Sequence, residues 1–288
     1  MKIFPPALTA FCALTVLPIG AQTLTHRYSF NGDAKDSVGT ANGTVVGGVT
    51  IQTDPNGIGL NGEANFPGGN SNNNPAYISL PVSTVSSLQN ATIEMYTTNF
   101  NSTGGAFQAL FSVGSKYNGS SQVNYSNLSP NRGGAGIGTG ARINSGAETV
   151  IASIDPLPDG YENHVLDLVY SGFTTIGSVG TETIYLDGSP VAQGQTKFSF
   201  AQIAAGTGGI GTVGIGGGSP FNDPTFVGGM NEFRIYNGAL TAAQINLNID
   251  SGPGVVAVGV ATTPAPSSAF VFALGFAGLL RFARKRSR

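Results

Sequence analysis

The stretch Gly228–Ile245, GGMNEFRIYNGALTAAQI, decides the fold of this chain. It predicts a strand over Met230–Tyr236, with Phe and Ile on one face and Glu, Arg and Tyr on the other, because strand side chains alternate between faces. Asn237-Gly238 favours a tight turn, since both residues tolerate a positive φ. Thr241 then predicts the N-cap of one short helix over Thr241–Asn246.

The composition indicates an all-β fold. The 288 residues include 43 Gly and 16 Pro, and only 10% are charged, which suits many short strands joined by turns. The apolar fraction of 40% is enough for a core. No internal repeat is present, so residues 22–249 are predicted to form one domain. Cys12 is the only cysteine, which excludes disulfides within the chain.

Alternation and turn residues predict further strands. These are Leu24–Phe30, Gly43–Val49, Gly59–Phe66, Ala76–Leu80, Ala91–Thr97, Ala106–Val113, Asn163–Tyr170, Glu182–Gly188, Pro190–Gln193 and Val213–Gly216. Residues 114–146 are rich in Gly, Ser and Asn and are predicted to hold the most irregular loops. Residues 250–263 have no helical period, so they are predicted to be an extended linker.

Three further segments, together with Gly228–Ile245, resemble the sequence of a known family. They are HRYSFNGDAKDSVGTANGTVVGG at 26–48, NHVLDLVY at 163–170 and ETIYLDG at 182–188. Together they resemble laminin G-like domains of the concanavalin A-like lectin superfamily, over residues 24–249. The resemblance implies a two-sheet antiparallel β-sandwich of the jelly-roll type, with one short helix near the domain C-terminus. Tyr96 stands where the family usually has Trp.

Both ends of the chain predict export. Residues 1–21 carry Lys2, an apolar run and a small-residue site ending at Ala21, which is typical of a signal peptide; a retained anchor is the alternative. Residues 264–288 resemble a PEP-CTERM sorting signal: a short motif, an apolar run too short for a bilayer span of about 20 residues, and a basic tail. The motif is Pro264, Ala265, Pro266, Ser267 and Ser268, with Ala265 where the family usually has Glu.

The sorting resemblance implies a partner and a location. The partner is an exosortase-type enzyme, which acts while the C-terminal segment is transiently inserted in the membrane. The location is the cell envelope, outer surface or extracellular matrix. A simple C-terminal anchor is the alternative. Between the two ends, seven basic residues face 15 acidic ones, which argues against nucleic acid as a partner.

No local motif indicates an enzyme. Glycosidases of lectin-like folds place carboxylates two positions apart on one strand, and no two acids of this chain have that spacing. G-x-S-x-G, C-x-x-C and H-E-x-x-H are missing from the sequence. Residues 209–214 spell G-x-G-x-x-G, but no helix pattern follows. His26 and His164 are predicted to be packed and hydrogen-bonded rather than catalytic.

The resemblance also suggests a calcium ion, because related lectin-like domains often hold one where the first loop meets the closing strand. Asp33, Asp36 and Glu232 are the candidate ligands, since calcium prefers oxygen ligands. The alternative is structural. In that case Asp33 and Asp36 form Asx turns, and Glu232 pairs with Arg234 or Arg27.

Aromatic and amide side chains are the candidates for sugar binding. They are Tyr77, Tyr96, Tyr117, Tyr125 and Tyr161, with the Asn-rich loops 70–74 and 118–131. The predicted function is an exported, non-catalytic domain that binds extracellular polysaccharide. One alternative is a structural or adhesion protein with a protein partner. Another is a glycoside hydrolase built from dispersed carboxylates, which would need two of them about 5–9 Å apart on a concave face.

Overall fold

The computed structural model describes residues 22–53, 62–70, 73–115, 123–160, 162–257 and 261–262. In this part of the chain two β-sheets form a sandwich, accompanied by two helices. This arrangement confirms the predicted all-β jelly roll. The predicted signal peptide with Cys12 and the predicted sorting signal lie outside the described residues. None of the described helices is long and apolar enough to span a membrane.

Sheet A contains nine of the strands, numbered here in chain order. They are β1 Thr23–Tyr28, β3 Thr50–Gln52, β4 Glu63–Pro67, β6 Ala91–Phe100, β11 His164–Ser171, β12 Gly180–Leu186, β13 Ser189–Thr196, β15 Val227–Asn237 and β16 Ala261–Thr262. The order is β13-β12-β11-β6-β15-β1-β16, and β4 joins β15 to β3. Neighbouring strands are antiparallel, except that β16 runs parallel to β1.

Sheet B contains the other seven strands. They are β2 Thr44–Val46, β5 Tyr77–Leu80, β7 Phe111–Gly114, β8 Tyr125–Ser129, β9 Gly138–Arg142, β10 Thr149–Ala152 and β14 Thr212–Ile215. The order is β10-β9-β8-β7-β14-β5-β2, all antiparallel. The core lies between the two sheets and is rich in aromatic rings, such as Phe111, which contacts both Phe200 and Phe233.

The closing strand β15 has the predicted position and faces. It pairs with β1, β6 and β4 and so lies in the middle of sheet A. Phe233 and Ile235 are fully buried in the core between the sheets. Arg234 points to the opposite, outer face of sheet A, where its side chain is also fully buried. That outer face therefore carries a second, polar layer under a cover.

The cover is the helix α2, Ala242–Ser251, and the residues after it. Thr241 is its N-cap, as predicted, and forms a capping box with Gln244. The helix is longer than predicted because Ile245 and Asn248 are buried on the sheet, one turn apart. It also occupies the start of the predicted linker. The shorter helix α1, Phe200–Ala204, capped by Ser199, was not predicted.

The middle of the chain differs from the prediction in two ways. Residues 114–146, predicted to hold the most irregular loops, also contain the strands β8 and β9, which lie between β7 and β10 in sheet B. Half of the residues in these two strands are Ser, Asn or Gly, which have little intrinsic strand preference, so pairing with neighbouring strands decides their conformation. The predicted strand Ala106–Val113 was too long. The strand begins at Phe111, and Phe107 has a positive φ of 64°.

Candidate functional site

The strand β8 separates the core from a cleft on the outer face of sheet B. Leu128 is buried in the core, and Ser126 bonds to Tyr170 in the interior. Tyr125, Asn127 and Ser129 occupy the alternate positions and therefore point outward. All three are nevertheless buried, because loops from other parts of the chain fold over them.

These loops and β8 enclose a cleft of about 190 Å³. Its walls combine aromatic, amide and charged side chains, the groups that sugars need for stacking and for hydrogen bonds to hydroxyls. The lining residues are Phe107, Gln108, Ala109, Tyr125, Asn127, Ser129, Arg132, Glu148, Phe221 and Asp223.

Glu148 is held in place on one wall of the cleft. The hydroxyl of Tyr125 donates to its Oε1 at 2.6 Å, and Nη2 of Arg132 donates to the same oxygen at 2.9 Å. Burial and this bond to Glu148 raise the pKa of Tyr125 well above its usual value. The pair lies directly over Gly140. A Cβ at that position would come within 2.2 Å of both Arg132 Nη1 and Glu148 Oε1.

A chain of hydrogen bonds crosses the floor of the cleft. Nδ2 of Asn127 donates to Oγ of Ser219 at 3.1 Å, and that hydroxyl donates to Oδ2 of Asp223 at 2.6 Å. Burial raises the pKa of Asp223, and the charge of Glu148 adds to the effect. Oδ1 of Asn127 is buried without a hydrogen-bond partner. The floor therefore contains one unsatisfied acceptor.

Aromatic rings form the rest of the walls. Phe221 meets Tyr125 edge to face, with ring centroids 4.9 Å apart. The guanidinium of Arg142 lies over both rings, 5.4 Å from the centroid of Tyr125 and 5.3 Å from that of Phe221. Phe107 is 43% exposed, and the guanidinium of Arg132 lies 5.6 Å from its centroid. The exposed ring can serve as a stacking surface for a flat ligand.

Of the five tyrosines predicted for sugar binding, Tyr125 lines the cleft. Tyr96 is buried on the other side of the molecule, beside Arg234. Tyr77 packs over Gly217, and Tyr117 and Tyr161 lie outside the described residues. Of the two Asn-rich loops, loop 118–131 contributes Asn127 to the cleft and loop 70–74 does not. Sequence reasoning missed the other lining residues, because they come from separate segments without a shared motif.

The predicted calcium ligands do not converge. The carboxylate of Asp36 accepts from His26 and from four backbone N–H groups, of residues 27, 38, 39 and 41. Burial raises the pKa of Asp36, but the bonds from His26 and the backbone outweigh it and lower the pKa to about 2. Asp33 is exposed and pairs with Lys35 at 2.8 Å.

Glu232 is likewise engaged, with Arg27 at 2.8 and 3.0 Å and with Arg234. These contacts match the structural alternative, including the Asx-type bonds that Asp33 and Asp36 accept from residues two positions on. Within the described ranges, no group of three His, Cys, Asp or Glu side chains could hold a metal ion. These residues do not fit a shared calcium site, and calcium binding stays a prediction.

Both histidines are hydrogen-bonded, as predicted. Nδ1 of His26 lies 2.7 Å from Oδ2 of Asp36. Nδ1 of His164 lies 2.8 Å from Oδ2 of Asp187, and its side chain is 12% exposed. Neither histidine lines the cleft.

The polar layer on the outer face of sheet A is centred on Arg234. Its Nη1 donates to Oε2 of Glu94 at 2.8 Å, and its Nη2 donates to the carbonyl of Val255 at 2.8 Å. Nδ2 of Asn248, on α2, donates to the other oxygen of Glu94 at 2.9 Å. The helix and the residues after it thus seal this layer from water.

Asp167 lies in the same layer but, unlike Glu94, accepts no hydrogen bond from the described residues. It lies opposite Glu94 in the pairing of β11 with β6 and is fully buried. Neither of its carboxyl oxygens has a hydrogen-bond partner among the described residues. Burial, and then the charge of Glu94, raise the pKa of Asp167 well above its usual value. As a neutral acid it can donate its proton to Glu94.

A family model supports the architecture independently. Residues 70–246, more than half of the chain, match the Laminin_G_3 model, described as the concanavalin A-like lectin/glucanases superfamily. The chain belongs to this superfamily. No curated protein has a sequence that matches the chain.

Solved structures with the same fold have low sequence identity to this domain. Domain 4 of AbnA, a GH43 extracellular arabinanase from Geobacillus stearothermophilus, in complex with arabinotriose, superposes with a TM-score of 0.58 at 19% identity. The match covers 78% of this chain and 98% of the AbnA domain. A CBM40 domain of the Ruminococcus gnavus IT-sialidase, bound to α2,3 sialyllactose, has a TM-score of 0.45 at 18% identity, over 57% of this chain and 84% of that one. At these identities the similarity establishes the fold alone.

Proposed function

We propose that this laminin G-like domain binds carbohydrate in the cleft over β8, without acting on it. The proposal rests on the combination of aromatic and polar groups that line this cleft. The cleft joins an exposed ring, Phe107, to a buried amide oxygen without a partner, on Asn127. Sugars offer apolar ring faces and hydroxyl donors, which these two groups complement.

The charged groups of the cleft support binding of a ligand in one orientation. Arg132 and Tyr125 both hold Glu148, and Gly140 leaves the space in which the pair lies. A ligand hydroxyl that reaches the wall therefore meets fixed donors and acceptors, and ordering them on binding costs little entropy. The domain of AbnA was solved with arabinotriose, which makes neutral oligosaccharides reasonable first probes.

A glycan array and polysaccharide pull-downs with the purified full chain test the proposal. Phe107→Ala should weaken glycan binding at least tenfold, because the stacking ring is removed. Leu247→Ala is the matched control: its side chain is 51% exposed, and it lies on α2 at the other side of the molecule. Loss of binding in the control alone, or no glycan bound by the folded wild-type chain, would contradict the proposal. The second result would favour the structural or adhesion role with a protein partner.

Glycoside hydrolysis is a second candidate, because two carboxyl groups, Glu148 and Asp223, line the same cleft. Their environments differ: Glu148 pairs with Arg132, whereas burial raises the pKa of Asp223. Such a difference is typical of an acid and its partner carboxylate in glycosidases. Release of reducing ends from any bound glycan, abolished by Asp223→Asn, would establish hydrolysis. If the bound glycan stays intact, the domain binds glycan without hydrolysing it.

We also propose that the domain is exported and delivered to the cell envelope or extracellular matrix. The support comes from the sequence of the two ends, residues 1–21 and 264–288. Mass spectrometry of the protein from its own cells would show whether both ends are removed. A chain that keeps residues 264–288 would instead indicate the simple membrane anchor.

A further inference from the structure

We infer that the cleft binds neutral glycans through two adjacent free hydroxyls of one sugar, and that Arg132 and Glu148 form the subsite that recognises this hydroxyl pair. The inference rests on the proposed function, because it names the class of sugar that the same cleft would take. The two side chains are held side by side in the cleft, and each keeps hydrogen-bonding atoms that the described residues do not use.

Arg132 and Glu148 are fixed next to each other. Both line the cleft, and Nη2 of Arg132 donates to Oε1 of Glu148 at 2.9 Å. The hydroxyl of Tyr125 donates to the same oxygen, and the ring centroid of Phe107 lies 5.6 Å from the guanidinium. Because these contacts already order both side chains, binding a ligand here costs little further side-chain entropy.

The contact between the two side chains uses only part of their hydrogen-bonding capacity. Nη1 and Nε of Arg132 donate to no atom of the described residues, and neither is among the buried atoms without a partner, so solvent reaches both. Oε1 of Glu148 faces the floor of the cleft, since a Cβ on Gly140 would come within 2.2 Å of it. Oε2 accepts no hydrogen bond within the described part of the chain, and the side chain is 33% exposed. The pair therefore offers a ligand both donors and an acceptor.

Two adjacent hydroxyls of a sugar complement this arrangement. A hydroxyl both donates and accepts, so one can donate to Oε2 of Glu148 while its neighbour accepts from Arg132. Hydroxyl oxygens on neighbouring ring carbons lie about a hydrogen-bond length apart, which matches the spacing of the two side chains. Both bonds involve a charged partner, which strengthens them. The exposed ring of Phe107, beside Arg132, can contact the apolar face of the same sugar.

The charges that line the cleft favour a neutral ligand. Glu148 and Asp223 are two carboxyl groups beside the single guanidinium of Arg132. An anionic sugar would meet more like charge than opposite charge there, which disfavours its binding.

Recognition of a hydroxyl pair makes the linkage of the glycan decisive. In β-1,4-xylan, the residues along the chain keep free hydroxyls on the neighbouring carbons 2 and 3. In β-1,3-xylan, the free hydroxyls on carbons 2 and 4 are separated by the glycosidic oxygen on carbon 3. The two polymers share sugar, anomer and charge, so they form a matched pair of probes. Amorphous cellulose and curdlan form the same pair for glucose.

Pull-downs with the purified full chain and these four polymers test the inference. In at least one sugar, the wild-type chain should bind the 1,4-linked polymer at least tenfold more tightly than the 1,3-linked one, the usual effect of a hydrogen bond to a charged group. Equal binding, tighter binding of the 1,3-linked polymers, or binding of none of the four by a chain that binds other glycans on the array would overturn the inference and leave sugar binding intact. A chain that binds no glycan at all would overturn the proposed function as well.

Variants of the pair separate recognition from a structural role. Glu148→Gln keeps one oxygen for Tyr125 and Arg132 but replaces the unused acceptor with an amide donor, so the preference for the 1,4-linked polymer should disappear. A purely structural role of Glu148 would weaken both polymers equally and preserve their ratio, which would overturn the inference.

Arg132→Lys keeps the charge but loses the planar set of donors, so it should lower the same ratio. It decides the question if Glu148→Gln binds too weakly to measure, since an unchanged ratio would overturn the inference. Leu247→Ala, on α2, is the control and should keep both the affinity and the preference of the wild type.

Discussion

The outer faces of the two sheets carry similar side chains but differ in access to water. On sheet A, α2 and residues 252–257 cover the charged layer around Arg234. On sheet B, the loops around β8 leave a cleft of about 190 Å³ that is lined by Arg132, Glu148 and Asp223. Both faces contain polar atoms without a protein partner. What can satisfy these atoms depends on whether a ligand can reach them.

In the sealed layer, the unpartnered group is Asp167, and its burial beside Glu94 favours the protonated, neutral form. At the open cleft, the unpartnered atom is Oδ1 of Asn127, which is buried in the floor beside space that a ligand can enter. The same kind of residue therefore stabilises the fold on one sheet and is available for recognition on the other.

The largest expected effect comes from removing the centre of the sealed layer. Arg234→Met leaves the buried carboxylates of Glu94 and Glu232 without their shared cation. The free energy of unfolding should fall by about 3–5 kcal/mol, the usual cost of an unpaired buried charge. Urea unfolding followed by circular dichroism measures it. Adding Glu94→Gln should recover part of the loss; a loss below about 1 kcal/mol in the single variant would show that the layer is not sealed.

The next effect concerns Asp167 and depends on pH. Its pKa is raised in the folded state, so at a pH between its unfolded and folded pKa values folding takes up a proton, and stability is lost as the pH rises through that interval. Between these two pKa values the loss is about 1.4 kcal/mol per pH unit. Asp167→Asn should therefore gain stability over wild type as the pH rises above the unfolded pKa of Asp167.

Glu182 requires a control in the same experiment. Burial raises the pKa of this core glutamate to about 7, so it adds a stability loss of the same sign between its ordinary pKa and about pH 7. Comparing Asp167→Asn with wild type at each pH cancels this contribution. Unfolding curves at pH 4, 6 and 8 in which the variant gains nothing over wild type would mean that Asp167 is ionised in the fold.

The third prediction tests the open face. Glu148→Gln removes the ion pair with Arg132, whose side chains are 33% and 11% exposed. Its stability cost should be below about 1 kcal/mol, as for other solvent-accessible pairs. Glycan binding should nevertheless fall at least tenfold, because the oxygen that accepts from both Arg132 and Tyr125 loses its negative charge and holds them less firmly. A stability loss as large as that of Arg234→Met would remove the distinction between the two faces.

The smallest effect is expected from a chelator. The oxygens of Asp36 and Glu232 already accept hydrogen bonds from nearby N–H groups. EDTA should therefore leave the melting temperature of the full chain unchanged, as measured by calorimetry with and without added calcium. A rise of several degrees with calcium would show a site elsewhere, and glycan binding that needs calcium would restore the predicted calcium-dependent lectin.

Local signals explain which parts of the fold could be predicted. Alternation over Met230–Tyr236 and the cap at Thr241 are interactions within a few residues, and both are confirmed. The strands β8 and β9 carry no such signal, because their conformation depends on pairing with β7 and β10. The full length of α2 depends on Asn248 reaching Glu94, 154 positions earlier in the chain.

The candidate site was even less predictable. Among its residues, Tyr125 and the segment with Asn127 were predicted by residue type, whereas Phe107, Glu148 and Phe221 lie in separate segments. The spacing rule for paired carboxylates applies within one strand, so it could not find Glu148 and Asp223, which come from different parts of the chain. Nothing local distinguishes Tyr125 from Tyr96, which is buried beside Arg234.

The sequence by itself determined the fold class, the closing strand with its capped helix and the family, since alternation, turn pairs and caps act over short distances. The sequence also predicts export, from residues 1–21 and 264–288, which lie outside the described structure. Only the tertiary structure decided which polar side chains are sealed and which stay open. Access to water depends on what the rest of the chain places above a strand: α2 covers Arg234, whereas the loops over β8 leave a cleft beside Asn127.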